Sequence, residues 1–265
     1  MEKSRMPVLF IGHGSPMNAI ENNEFSEGWR EMAEMLPKPK AILCISAHWE
    51  TWGSLVTGME HPRTIHDFGG FPKELFEATY PAPGSPWLAD EVRKIAQSQP
   101  IGLDRDWGLD HGCWSVLKQM YPKADIPVVQ FSLDYTKNPH QHYAIARELE
   151  PLRDQGILIL GSGNIVHNLR RVVFRGSLGD FNQSFALDWA QEASDLFKKL
   201  IDENNHQALM DYADLGPSVQ LAVPTPEHYL PLLYTLAAKS DNDTITYFND
   251  KPVAGSLTMT SLLIR

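Results

Sequence analysis

The chain has only two cysteines in 265 residues, Cys44 inside an apolar run and Cys113 close to a histidine. Two thiols build neither a disulfide framework nor a thiolate zinc site, so any bound metal must be held by nitrogen and oxygen. Both cysteines read as small buried hydrophobes. Positive charge is also short. The 23 Lys and Arg face 33 Asp and Glu, a net charge of −10, and no basic cluster is interleaved with aromatics. That excludes a surface built to neutralise phosphates, so no nucleic-acid partner is expected. Long apolar runs are missing too. MEKSRMPVLFIGHG is only briefly apolar before glycine, too short for a signal h-region or a membrane span. The protein is therefore expected to be cytoplasmic, without a membrane partner.

Two familiar motifs are incomplete. GSGN at 161–164 lacks the third glycine of a dinucleotide fingerprint and the acidic residue that should follow it. Ser15 stands in GHGSP rather than in a G-x-S-x-G elbow, and Pro16 removes a backbone donor that an oxyanion hole needs. Neither a nicotinamide enzyme nor a serine hydrolase is expected.

What is present reads as one large α/β domain spanning residues 1–265. Apolar residues make up 43% and charged ones 21%, ordinary for a folded globular chain, with no repeat or low-complexity tract. Apolar runs at Val8–Ile11, Ala41–Ser46, Ser54–Thr57, Pro127–Leu133 and Ile157–Leu160 predict strands, and Ser256–Ile264 a last one. Helices are expected from about Ser26 to Leu36, Ser85 to Gln97, Asn138 to Leu152 and Asn182 to Ile201, and from Thr225, as N-cap, to Ala238. Residues 60–83, dense in Pro, Gly and aromatics, predict a long ordered loop. Alternating strands and helices imply a mostly parallel central sheet flanked by helices, with ligands gathering at the carboxyl ends of the strands.

The histidines fit that geometry. His13 follows the first strand, His48 the second, and His167 comes one short turn after the run ending at Leu160. Glu227 and His228 fall in the expected first turn of the helix capped by Thr225, and His111 between a loop and a helix starting near Gly112. Several imidazoles at one rim, with no thiolates to compete, suit one divalent metal ion, zinc or ferrous iron. Gly12 and Gly14 are expected to leave space beside His13 for metal and substrate. Gly14, Ser15, Glu227 and His66, on its glycine-rich loop, are the residues expected to meet the substrate. His140 and His142 are expected to be solvated.

The stretches FIGHGSPMNAI, ISAHWE, TIHDFGGFP, YPAPGSP, LDHGCWSVL, GSGNIVHNLR and PTPEHYLPLLY together resemble the class III extradiol ring-cleavage dioxygenases, in the branch similar to 4,5-DOPA dioxygenase. The resemblance runs from about Met6 to the C-terminal strand. It implies that His13 and His48 are metal ligands and His228 the third, with Glu227 as the alternative. His167 would be a fourth ligand in the resting site and the acid/base in turnover, titrating near neutrality. His111 would hydrogen-bond the substrate or oxygen. The implied reaction joins a catechol, L-DOPA or a relative, with O2 to give a muconic semialdehyde. Fe(II) is expected for activity, and Zn(II) is the ion that purified protein can hold. Two other readings stay open: a zinc-dependent hydrolase on the same histidines, and a non-enzymatic interaction protein of the same fold. The oligomeric state is unreadable.

Overall fold

The computed structural model describes residues 5–174 and 181–265; residues 1–4, the start of the N-terminal stretch, lie outside them. Among the described residues ten strands form in chain order: β1 Val8–Gly12, β2 Ala41–Thr51, β3 Leu55–Thr57, β4 Gly102–Asp104, β5 Val128–Asp134, β6 Ile157–Gly163, β7 Ile245–Phe248, β8 Pro252–Val253, β9 Leu257–Thr258 and β10 Ser261–Ile264. Nine α-helices lie among the described residues: α1 Glu24–Met35, α2 Lys73–Glu77, α3 Pro86–Ile95, α4 His111–Met120, α5 Pro139–Leu149, α6 Asp188–Asp202, α7 His206–Met210, α8 Pro217–Ala222 and α9 Leu230–Ala237.

Eight strands make one sheet in the order β4-β3-β5-β2-β6-β1-β10-β7. Its centre, β5-β2-β6-β1, is parallel throughout. Within this sheet, antiparallel pairing is confined to β3 on β5 and to β10, which pairs with β1 and β7; β8 and β9 form a separate antiparallel pair. Central strands buried on both faces read as continuous apolar runs, which is why the sequence marks them so clearly. Alternation along β1 sends Val8 and Phe10 into a core shared with α3, α5, α6 and α9. Leu9 and Ile11 go to the opposite core, under α1 and α4 with Trp29 and Trp114. Helices thus cover both faces, and the carboxyl ends of β1, β2 and β6 emerge side by side.

Caps locate most helix starts. Asn23 and Asn138 each form a capping box, Ser85 accepts from the Leu88 amide, and Asp110 accepts from the Cys113 amide. Four expectations need correction. Thr225 caps nothing; its hydroxyl donates to Glu227, and α9 begins only at Leu230, next to Pro231. The helix expected from Asn182 begins at Asp188. The helix expected from Asn138 to Leu152 ends at Leu149 and passes into a 3-10 turn over Glu150–Gln155 around Pro151. The closing strand breaks into β9 and β10, with Met259 and Thr260 between them. Among the described residues no helix is long and apolar enough to cross a membrane.

Candidate metal centre and active-site cavity

His13 follows β1 directly, and its amide donates to the Gly163 carbonyl at 3.0 Å, extending the ladder by one residue. His48 does not follow a strand. It lies within β2, which runs on to Thr51, at an irregularity between Ile45 and Glu50 where the register against β5 shifts. Such an irregularity re-aims a side chain out of the regular pleat. His228 stands in the turn before α9, and its backbone presses on the end of β6: a Cβ at Gly163 would lie 2.1 Å from the His228 carbonyl oxygen. Only glycine fits there. His167 lies beyond β6 and is tied by its amide to the Ala222 carbonyl at 2.8 Å. His111 is the first residue of α4, one earlier than expected.

The structure brings these side chains together. One ring nitrogen from each of His13, His48 and His228 falls within 4.8 Å of the other two. His13 Nε2 and His48 Nε2 are 3.2 Å apart. His167 stacks on His228 with centroids 3.5 Å apart, and His111 lies 3.8 Å from the His48 ring. All five line one cavity of about 930 Å³. Its remaining wall is largely apolar, with Phe68, Phe71, Phe181, Leu169 and Leu257 around it.

The hydrogen bonds behind the rings decide which nitrogens face the cavity. Ser162 Oγ donates to the Gly112 carbonyl at 2.6 Å, so it has only lone pairs left for His13 Nδ1 at 3.0 Å. The His13 proton therefore sits on Nδ1, and Nε2 carries a free pair. His228 Nδ1 donates to Glu227 Oε1 at 3.1 Å, with the same result. Asp67 accepts from the His111 amide and from His111 Nδ1, both at 2.8 Å, and lies 3.6 Å from His48 Nδ1. This is the support that metal-binding imidazoles receive, each held from behind so that its other nitrogen points inward.

Burial keeps the rings of His13, His48, His167 and His228 neutral. His13 and His48 are held well below the ordinary histidine range, first by burial and then by the neighbouring imidazoles. Burial lowers His228 as well, against the pull of Glu227. His167 is pushed down to about 2 by burial and then by His228, far from the neutral range expected for it. Burial would raise Glu227, but the hydrogen bond from His228, the backbone amide of Glu227, the charge of His228 and the Thr225 hydroxyl together outweigh it and hold the carboxyl at about 2. A cluster of neutral imidazoles around one point is a donor set that fits a divalent cation.

Other expected contacts fall differently. Gly14 and Ser15 border the cavity, but the space beside His13 is filled by protein: Cβ atoms at Gly12 and Gly14 would meet the Met259 backbone at 2.6 Å and the Met259 sulfur at 2.4 Å. The missing side chains of Gly12 and Gly14 thus make room for Met259, while Gly14 still borders the cavity. Ser15 caps the 3-10 turn Pro16–Ala19 through its hydroxyl. Glu227 does not border the cavity; it stands behind His228, bonded to it and to Thr225. His66 does not border it either. Its Nε2 bonds the Ala78 carbonyl at 2.9 Å, and its ring packs on Phe68, which does. His142, expected in solvent, is buried with Nδ1 2.9 Å from the Tyr234 hydroxyl, while His140 pairs with Asp211 at the surface.

Asp67, Ser162 and Asp110 carry positions that the sequence did not reveal. Asp110 is buried and binds Ser46 Oγ at 2.6 Å and Gln130 Nε2 at 2.7 Å, and it caps the helix that starts with His111. Burial and then Asp67 raise its carboxyl. The one available signal was the position of Asp67 directly after His66 in the glycine-rich loop.

A mostly parallel α/β sheet with a histidine-rich candidate metal centre at its strand ends defines the class. Residues 7–257 match the family described as the catalytic LigB subunit of aromatic ring-opening dioxygenase. The chain is 44% identical over 265 residues, all of it and 96% of the relative, to a protein named 4,5-DOPA dioxygenase extradiol from Escherichia coli strain K12. A protein of the same name from Beta vulgaris is 37% identical over 242 residues, 89% of this chain and 87% of that one. A crystal structure of an uncharacterized Escherichia coli K12 protein superposes with a TM-score of 0.82 at 40% identity, covering 98% of this chain and all of that one. The chain belongs to the LigB family of aromatic ring-opening dioxygenases and is an enzyme of the extradiol dioxygenase class. An enzyme of that class acts on a small aromatic molecule and O2.

Proposed function

We propose that the whole chain, residues 1–265, acts as one catalytic domain that cleaves a catechol bearing an L-DOPA-like substituent, with O2, to a muconic semialdehyde. The reading is carried by the approach of ring nitrogens from His13, His48 and His228 to within 4.8 Å of one another in the lining of a cavity that aromatic side chains also line. Relatives named for 4,5-DOPA support the substrate class. His13, His48 and His228 would hold the metal, with Glu227 behind His228 as its support rather than as a ligand. When bound, ferrous iron supplies open positions at which two reluctant partners meet. Zinc binds the same nitrogens more tightly, so purified protein can carry it without being active.

The chain's own residues supply the rest. Phe68, Phe71 and Phe181 exclude water and offer faces to a planar ring. His167 is neutral at pH 7 and so able to take a phenolic proton, and a negatively charged catecholate beside it raises its affinity for that proton. The same ring returns the proton as the aromatic ring opens. His111, with its proton on Nδ1 held by Asp67, presents the lone pair of Nε2 to the cavity, where it can accept a hydrogen bond from a hydroxyl of the substrate.

The test is anaerobic loading of metal-free protein with Fe(II), addition of L-DOPA or a simple catechol, and admission of air. Oxygen consumption with a new visible absorbance is expected. Neither signal across a panel of catechols overturns the proposal.

A further inference from the structure

Asp67 holds two imidazoles at once. Its carboxylate is 2.8 Å from His111 Nδ1 and 3.6 Å from His48 Nδ1, and its side chain is only 18% exposed although its backbone runs through the glycine-rich loop. No cation pairs with it among the described residues, so its charge is directed at these two rings.

The consequence lies in a competition at His48. His13 Nε2 has a free pair, because Ser162 claims its Nδ1 proton. At 3.2 Å, His48 can therefore place its own proton on Nε2 and donate it to His13. That hydrogen bond closes the centre, since it occupies both nitrogens that a cation needs. It also turns the lone pair of His48 Nδ1 toward the Asp67 carboxylate, where like meets like. The alternative puts the proton on Nδ1, facing Asp67, and frees Nε2. A carboxylate at 3.6 Å is too far for a hydrogen bond but close enough, in a covered site, to favour the second arrangement. The same charge keeps the His111 proton on Nδ1.

We infer that Asp67 is a positioning residue that keeps the centre open, by holding the protons of His48 and His111 on their outer nitrogens so that both Nε2 atoms face the cavity. The inference rests on the proposed metal-binding role of His48, but it needs neither catechol nor oxygen for its test.

The experiment uses the purified full chain and Asp67→Asn. The carboxamide oxygen can still accept the His111 amide, so the loop keeps its anchor, while the charge is lost. Zinc affinity is measured by competition with a chromophoric chelator, and ring-nitrogen shifts are read from long-range proton–nitrogen spectra of the zinc-loaded protein. Zinc affinity is expected to fall about 10- to 100-fold, as when other residues supporting metal ligands are removed. The His111 proton is expected to move from Nδ1 to Nε2, because the amide group now donates to Nδ1. Affinity within twofold of the parent overturns the inference. Should Asp67→Asn not fold, the spectrum of the parent decides alone: neutral His111 protonated on Nε2 overturns it, and protonation on Nδ1 supports it. A parent that binds zinc with this dependence yet consumes no catechol sinks the proposed reaction and leaves Asp67 assigned.

Discussion

His167 and His228 stack face to face, with ring centroids 3.5 Å apart and planes 7° from parallel. A candidate proton carrier and a candidate metal ligand therefore share one surface, and the position of each is fixed by the other. His167→Ala is expected to lower turnover of the iron-loaded enzyme about 10²- to 10⁴-fold, the usual cost of a lost acid/base. His167→Phe, which keeps the stacking surface, is expected to fall as far. Steady-state rates with a catechol check both, and turnover equal to the parent removes His167 from proton transfer.

Metal should stabilise the fold, since the three candidate ligand nitrogens come from the residue after β1, from β2 and from the turn before α9. A ligand present at 100 times its Kd adds about 2.7 kcal/mol. Zinc is expected to raise the Tm of metal-free protein by several degrees, and His13→Ala or His228→Ala to abolish the rise. Scanning calorimetry with and without zinc is the measurement, and an undiminished rise in either variant would move the cation elsewhere.

Much of the fold was legible because the central strands are apolar on both faces, so Val8–Ile11 and Ile157–Leu160 stand out as runs. The site was legible where chemistry coincides with strand ends, as at His13. It was not legible where tertiary approach decides. His142 and His140 lie two residues apart in one helix, yet Tyr234 buries the first and Asp211 meets the second at the surface. Gly12 carries no local mark that Met259, almost 250 positions away, will occupy the space it leaves. Ser162 and Asp67 are common polar residues, and only the folded chain puts a hydroxyl behind His13 or a carboxylate between His48 and His111. Thr225 has the right composition for a cap, but a helix starting there would carry Pro231 in its interior, where its missing amide breaks the ladder, so α9 begins at Leu230, beyond the reach of Thr225.

Gly12→Ala tests the packing around Met259. The new Cβ would lie 2.6 Å from the Met259 backbone, which cannot rotate away as a side chain end can. A cost of about 1–3 kcal/mol is expected, typical of overpacking a filled core. It should appear as a lower denaturation midpoint with unchanged slope. A variant as stable as the parent would show that the loop after β9 yields freely.

His142 makes stability depend on pH. Burial lowers it from 6.5 to about 4, so the folded protein resists a proton that the unfolded chain accepts. Above about pH 6.5 both states are neutral and the group contributes nothing to the slope. As pH falls from there toward 4 the unfolded chain takes up the proton first, and stability is lost, by up to about 3 kcal/mol for this group. His13, His48, His167 and His228 are also lowered and act with the same sign in metal-free protein. Zinc-loaded His142→Gln is expected to show a shallower fall between pH 6.5 and 4 than the zinc-loaded parent. Equal slopes in urea titrations would assign the acid sensitivity to other groups.

Ser162→Ala removes the hydroxyl that settles the proton of His13. In the parent, Ser162 must accept from Nδ1 because its own hydrogen is spent on the Gly112 carbonyl. Without it, His13 is free to carry the proton on Nε2, 3.2 Å from His48 Nε2, which places a hydrogen where a cation would sit. The Gly112 carbonyl, which lies in the first turn of α4, also loses this donor, at a cost of about 0.5–1.5 kcal/mol for one lost hydrogen bond. Zinc affinity is expected to drop about 10- to 100-fold. Loss of stability without loss of affinity would make Ser162 a structural residue of α4 and β6, whereas loss of affinity together with a shift of the His13 proton from Nδ1 to Nε2 would show that the hydroxyl prepares the nitrogen for metal.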